Sequence, residues 1–353
     1  MNNSGMRKRI IYLTAILIMV ASNSDNASAQ SDSHDSGKTR DMATEDSAEE
    51  PTRKELQETF FNLPIKTFGG KQLWSDLIHL HGYRLQKNVV TNHHRLLDPK
   101  DVRLAWGGRA GCQEKLDKIT LEKELKPMTG RVLIVLHGLT RTRGAMKPIG
   151  KFIQDGSDIT VINVSYASTR TSIDEHAEGL ASVIEHLPEV TEINFLGHSM
   201  GSIVVRYYIG KYKPEGDERF GRMVMLAPPN NGSRLAQRLQ DNFLFKTFWG
   251  VSGQDLSRNW DEIEKTLATP EFEFGVIAGG QPEQSALDNP LLSGKNDLVV
   301  SVEETRLIGA HDFMQQRLLH STMMKQKEVW QAALSFLENG YFSSAAERSP
   351  IDE

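Results

Sequence analysis

The run Gly197-His198-Ser199-Met200-Gly201 sets one serine between glycines two residues to either side. A serine hydroxyl is a weak nucleophile at neutral pH. Chemistry at Ser199 therefore needs a base to take its proton and a third group to orient that base. Where a nucleophilic serine stands on a sharp strand-to-helix turn, its partners follow in the order acid, then histidine, and only His311 and His320 lie after Ser199. His320 follows Leu318-Leu319 and precedes Ser321-Thr322 and a helical run, a loop position that suits a base. His311, between Gly309-Ala310 and Asp312, reads as a solvated turn residue, so His320 is preferred. For the acid, Asp288 and Asp297 both fall between serine and base. Asp288 precedes Asn289-Pro290 and suits a turn, whereas Asp297 stands in the polar loop Gly294-Lys295-Asn296 that runs into Leu298-Val299-Val300. Asp297 is the preferred acid. Asp255 and Asp312 are weaker candidates.

A glycine-flanked serine alone is a weak signal, and its flanks decide. Phe195-Leu196 ends an apolar strand and Ile203-Val204-Val205 begins a helix, the context that a nucleophile elbow requires. Side chains two residues before or after the serine would crowd the neighbouring strand and helix, which explains Gly197 and Gly201. The N–H of the residue after the nucleophile, Met200, is one expected oxyanion donor. The second is expected from Leu139, because His137-Gly138-Leu139 directly follows an apolar strand and Gly138 lets the backbone turn. His137 precedes the nucleophile and is read as a loop-shaping residue.

These groups need a sheet to hold them. Arg131–Leu136, Ile159–Val164, Glu192–Leu196, Arg222–Leu226 and Phe272–Ala278 are short apolar runs, with Thr305–Gly309 a weaker sixth. Helical spacing recurs over Ser172–His186 and Ser202–Tyr212. The alternation predicts an α/β fold: a mostly parallel sheet flanked by helices. Tyr83–Leu97 reads as extended structure ending in the Asp98-Pro99 turn.

The ends carry a different signal. Arg7-Lys8-Arg9, an apolar stretch of 12 residues from Ile10 to Ala21, and Ala27-Ser28-Ala29 read as an export signal cleaved before Gln30. A spanning helix would need roughly 20 apolar residues. Residues 30–53 are Ser, Asp, Glu, Thr and Ala with few large apolar side chains, and read as a disordered acidic linker. Residues 54–126 read as an N-terminal extension packed on the core, 127–340 as a catalytic domain and 341–353 as a C-terminal tail. The expected location is thus periplasmic or secreted. A net charge of -5 argues against nucleic acid as a partner. The lone Cys112 excludes an internal disulfide and reads as a small buried filler. No phosphate loop, paired-cysteine site or helical His-Glu-x-x-His is present. His93-His94 would point to opposite faces of a strand, so neither cofactor nor metal is expected.

Gly197–Gly201, the His137-Gly138-Leu139 loop, Leu226–Ser233 (LAPPNNGS), Asn296–Ser301 (NDLVVS) and Leu318–Ser321 (LLHS) resemble the bacterial lipase and esterase branch of the α/β-hydrolase superfamily, near class 2 lipases and GPI inositol-deacylase-like enzymes. The resemblance covers roughly Arg131 to Leu337. It implies Ser199 as nucleophile, Asp297 as acid and His320 as base, with Leu139 and Met200 as oxyanion donors, acting on a small-molecule or lipid ester. The same constellation serves thioesterases, amidases and acyltransferases, and a non-catalytic binding protein on the hydrolase scaffold is the alternative from another class. Many relatives carry Asp-Gly where this chain has Asp297-Leu298. The resemblance also implies a helical cap between Asn230 and Pro270, where Phe243, Phe245, Phe248 and Trp249 would line an acyl pocket or meet a lipid surface. A helix packing its aromatic side on the core is the equal alternative.

Overall fold

The computed structural model describes residues 65–66, 72–239, 243–281, 289 and 291–352, with backbone only for 65–66 and 243–248. The expected export signal, the acidic linker and Asp288 lie outside the described residues. The chain builds two sheets. The first is antiparallel, from β1 (Ile65–Lys66), β2 (Trp74–Leu80), β3 (Tyr83–Asn88), β4 (His94–Leu97) and β5 (Val102–Gly107), in the order β1-β5-β4-β3-β2. Tyr83–Leu97 is thus two strands rather than one extended run. Asn88 turns the chain, its side-chain oxygen accepting from the N–H groups of Val90 and Thr91 at 3.0 Å. Helix α1 (Arg109–Glu122) covers one face, burying Cys112, Leu116 and Ile119 against Leu85, Leu96 and Ala105.

The second sheet follows in β-α alternation: β6 (Gly130–Leu136), α2 (Lys147–Gly156), β7 (Thr160–Asn163), α3 (Ile173–Glu185), β8 (Val190–His198), α4 (Met200–Lys211) and β9 (Phe220–Leu226). The cap helices come next, α5 (Arg234–Leu239), α6 (Phe243–Asp255, broken by a kink at Gly250) and α7 (Trp260–Thr266), then β10 (Phe274–Gly279), α8 (Val302–Thr305), β11 (Asp312–Gln316) and α9 (Lys327–Asn339). All neighbouring pairs in the order β11-β10-β9-β8-β6-β7 are parallel.

Side-chain alternation sorts the core into two layers. Val132, Ile134 and Leu136 face the layer of α3 and α4, where Leu180, Val183, Ile203 and Val204 are buried. Leu133 and Val135 face α2 and α9 through Ile149, Ile153, Ala333 and Phe336. Central strands covered on both faces have to be apolar throughout, hence runs such as RVLIVL. The capping box of Ser172 and Glu175 starts α3.

The sixth strand differs from expectation. Thr305 closes α8, and the strand is Asp312–Gln316, with the polar sequence DFMQQ. As an edge strand it is covered incompletely, so its sequence lacks the apolar run that marks the others. The tail is docked: Asp312 accepts from the N–H groups of Phe342 at 2.7 Å and Ser349 at 2.9 Å, and Phe342 and Ile351 are buried.

From β6 the chain runs outward to β7, returns across to β8 and continues the other way. Loops after β6 and β8 therefore open a crevice at the carboxyl ends of adjacent strands, the topological switch point where open α/β sheets bind ligands. The parallel sheet, its two helical layers, the strand-turn-helix at Ser199 and the helices between β9 and β10 make this the α/β-hydrolase fold with a helical cap.

Candidate active site

Ser199 joins β8 to α4 with φ 54° and ψ -124°, a conformation that L-residues avoid. The surroundings hold it there. Its N–H donates to Leu226 O at 2.8 Å, its carbonyl accepts from Ser202 N at 3.0 Å, and Ser202 Oγ donates to Gly197 O at 2.9 Å. A side chain at Gly197 would put its Cβ 2.6 Å from Ser202 N, and one at Gly201 would come within 2.6 Å of Leu136 O at the end of β6. Both glycines thus serve the close approach of strand, elbow and helix.

Two loops beyond the sheet meet at this elbow. His320 Nε2 lies 2.9 Å from Ser199 Oγ, and His320 Nδ1 lies 2.7 Å from Asp297 Oδ2. A carboxylate only accepts, so the ring proton sits on Nδ1 and Nε2 is left bare toward the serine hydroxyl. The other oxygen, Asp297 Oδ1, accepts from Val299 N at 2.9 Å and Val300 N at 2.7 Å. Asp297 is fully buried. Leu298, the residue after this carboxylate, sits at φ 81°, a region that suits glycine and strains a leucine. The main chain of His320 is held on both sides: its N–H donates to Asp297 O at 3.0 Å, and its carbonyl accepts from His198 Nε2 at 3.0 Å. His198 is thereby neutral with its other nitrogen bare, and burial, together with the nearby His320 and Arg141, holds it well below the usual histidine range.

The loop after β6 reaches across the elbow. Leu136 pairs with Gly197 in the sheet, which sets His137 to Arg141 beside Ser199. Arg141 N donates to Gly138 O at 3.2 Å, closing a four-residue turn around Leu139 and Thr140. Neither Leu139 N–H nor Met200 N–H has a partner within the protein among the described residues; Leu139 lines the pocket beside Ser199, and Met200 is the first residue of α4. Gly138 has a reason other than the turn predicted from sequence: a Cβ there would lie 2.8 Å from His198 Nδ1 and 3.1 Å from Ser199 Cβ. Close approach of the two loops, rather than an unusual dihedral, demands glycine. His137 shapes the loop. Its Nδ1 donates to Gly138 O at 3.0 Å, its ring stacks on Tyr166 at 4.1 Å, and Tyr166 Oη donates to its carbonyl. Burial lowers the His137 pKa to about 4.

A pocket of about 590 Å³, including its open mouth, lies over Ser199 and His320. Leu139, Ala236, Trp249 and Leu256 give it an apolar wall, and Arg141 is a charged residue on it. Of the four aromatic residues expected there, Trp249 lines the pocket; the side chains of Phe243, Phe245 and Phe248 lie outside those described. Sequence reasoning missed Arg141, Ala236, Leu256 and Val300, whose only signal is nearness to a motif residue. The weaker candidates are elsewhere. His311 N donates to Phe274 O at 2.8 Å, Asp255 accepts from Ile173 N at 2.9 Å ahead of α3, and Asp312 anchors the tail. Cys112 is buried in the first sheet, which pushes its thiol up to about 11. Among the described residues no cluster of His, Cys, Asp or Glu could hold a metal ion, and no helix is long and apolar enough to cross a membrane.

A family model described as a domain of unknown function (DUF7379) matches residues 100–252, from the end of the first sheet into the cap. No curated protein matches the sequence. Among solved structures the chain is similar to the Bacillus licheniformis lipase BlEst2 in mature form, at 17% identity over 55% of this chain and 86% of that one, with a TM-score of 0.44. It is similar to the metagenomic carboxyl esterase MGS0156 at 16% identity over 55% and 65% of the chains, TM-score 0.42. Phospholipase PlaB from Legionella pneumophila gives 19% identity, 51% and 45%, and 0.40. Likenesses this distant carry no weight beside the strand order and the elbow, which identify the fold on their own.

Proposed function

We propose that the chain is a serine hydrolase of carboxylic esters, an esterase or lipase that works after export. The observation that supports this most directly is the contiguous chain from Ser199 Oγ to His320 Nε2 at 2.9 Å and from His320 Nδ1 to Asp297 Oδ2 at 2.7 Å, on the floor of an apolar pocket. In this reading Ser199 Oγ attacks the ester carbonyl as its proton passes to His320 Nε2. The N–H groups of Leu139 and Met200 hold the negative oxygen of the tetrahedral intermediate. His320 then returns the proton to the leaving alcohol, and the acyl group stays on Ser199. Water, giving its proton to His320, attacks the acyl carbonyl; the carboxylic acid leaves and the proton goes back to Ser199. Asp297 keeps Nδ1 protonated and stabilises the charged ring at each step.

The apolar wall of the pocket, with Trp249, suits the acyl side of a small-molecule or lipid ester. A fluorophosphonate should label the wild-type protein and spare Ser199→Ala. In the same variant, turnover of a short p-nitrophenyl ester should fall roughly 10³- to 10⁶-fold with folding intact. Undiminished turnover in folded Ser199→Ala would remove the serine from the chemistry and the reading with it.

A further inference from the structure

The antiparallel sheet ahead of the hydrolase core has no part in the reaction as written above, and the segment GGKQLW (Gly69–Trp74) carried no assignment from sequence. One of its side chains reaches the oxyanion turn. Gln72 Nε2 donates to Arg141 O at 2.6 Å, at the last residue of the Gly138–Arg141 turn. The same amide is fixed at its other end, since Gln72 Oε1 accepts from Ser168 Oγ at 3.1 Å and Thr169 Oγ1 at 3.3 Å in the loop after β7. Ser168 Oγ also lies 3.3 Å from Arg141 O. With donors on one side and an acceptor on the other, the amide cannot flip without losing all of these bonds.

The turn needs holding. Thr140 occupies its third position at φ 60°. Positive φ at that place is ordinary for glycine and strained for a β-branched residue, so a turn without restraint would relax. Relaxation would swing the Leu139–Thr140 peptide and displace Leu139 with its N–H. A side chain of the turn between β4 and β5 grips the chain two residues on, where Asp101 Oδ1 accepts from Arg143 Nη2 at 2.6 Å and Asp101 is itself paired with Arg84 of β3. The sheet is anchored beside this grip, because Asp76 of β2 exchanges hydrogen bonds with Ser165: Asp76 N to Ser165 O at 2.8 Å and Ser165 N to Asp76 Oδ2 at 2.7 Å.

We propose that Gln72 is a positioning residue for the oxyanion turn, and that the N-terminal sheet belongs to the catalytic machinery through it. The inference rests on the hydrolase reading with Leu139 as oxyanion donor. Gln72 does not line the pocket and acts through Arg141, so its contribution falls on the transition state rather than on substrate affinity. Misplacement of a reacting geometry by about 1 Å can cost on the order of 10²-fold in rate, and partial release of one turn should cost about tenfold.

The test uses the full chain with Gln72→Met, which keeps the length and removes both sets of hydrogen bonds, and Ser168→Ala, which removes one hydroxyl that orients the amide. Each is measured for kcat and KM on a short soluble p-nitrophenyl ester, for affinity toward phenylboronic acid as a tetrahedral mimic, and for thermal midpoint. Gln72→Met should lose about tenfold in kcat and a matching factor in boronate affinity, with KM within about twofold. Ser168→Ala should lose less in the same direction, and the two losses should combine less than multiplicatively, because Ser168 acts mainly by orienting Gln72. Should Gln72→Met fail to fold, Ser168→Ala carries the same comparison. Folded variants whose kcat and boronate affinity match wild type, or whose loss lies in KM alone, overturn the proposal. A wild-type protein that neither turns over esters nor takes the fluorophosphonate strikes the hydrolase reading first and this inference with it, whereas active wild type with indifferent variants strikes only the inference.

Discussion

Asp297→Asn separates the loop-closing role of one carboxylate from the role that the proposed reaction gives it. Oδ1 closes its own loop by accepting from Val299 N and Val300 N, while Oδ2 faces His320 Nδ1 at 2.7 Å. An asparagine has one acceptor oxygen and one donor nitrogen, and the surroundings decide how it lies. Turning its NH₂ toward the two backbone N–H groups would leave both buried donors unpaired, at about 1–3 kcal/mol each. Its oxygen therefore takes the place of Oδ1, and its NH₂ faces His320. A donor there forces the ring proton from Nδ1 to Nε2, the nitrogen that has to accept the proton of Ser199. The fold should survive, with a thermal midpoint close to wild type, while kcat on a short p-nitrophenyl ester near neutral pH drops by up to about 10⁴-fold. At about 1.36 kcal/mol per decade, that is a barrier raised by about 5 kcal/mol. Asp288→Asn serves as the control and should leave kcat unchanged. A folded Asp297→Asn enzyme within about tenfold of wild type would show that Asp297 only caps its loop, and a large loss at Asp288 instead would move the acid to that turn.

Three further outcomes follow from the same structure. Gly138→Ala places a methyl carbon 2.8 Å from His198 Nδ1 and 3.1 Å from Ser199 Cβ, so the oxyanion loop has to lift and kcat should fall at least about tenfold; unchanged kcat would refute the close-approach argument. Burial lowers the pKa of His79 to about 4, of His137 to about 4 and of His176 to about 3 from an ordinary 6.5. The unfolded chain then binds more protons than the folded one below about pH 6.5, so this stability is complete above that pH and is lost on acidification toward pH 4, at up to about 1.4 kcal/mol per histidine per pH unit. Thermal midpoints taken from pH 7.5 down to 5 should fall, and a flat profile would contradict neutral burial of these rings. Secreted protein should begin at or near Gln30 on N-terminal sequencing; an intact Met1 terminus recovered with membranes would replace export by anchoring.

What was legible in the chain was local. The elbow shows because its sterics act within a few residues: Gly197 and Gly201 clear space for contacts that any strand-turn-helix with a nucleophile at its apex has to make. The parallel strands show because burial on both faces leaves only apolar residues, as in RVLIVL, and the exception follows the same rule, since the edge strand Asp312–Gln316 is half-covered and its polar sequence conceals it. Chain order narrowed the base to two histidines and the acid to a few aspartates, but it could not bring them together. Ser199 and His320 are 121 residues apart and meet because β8 and β11, the strands they follow, end on one side of one parallel sheet. The same holds for Gly138, whose neighbour is a ring sixty positions on, for Leu298, whose positive φ accompanies the two N–H groups turned onto Asp297, and for Gln72, whose partner lies in the turn after β6. Sequence alone determined the glycine-flanked serine turn, the fold class and a short list of candidate partners, because steric and hydrophobic periodicities are written at short range. The tertiary structure decided which partners meet and what steadies them, because hydrogen bonds between remote loops depend on strand order and register, which no local pattern encodes.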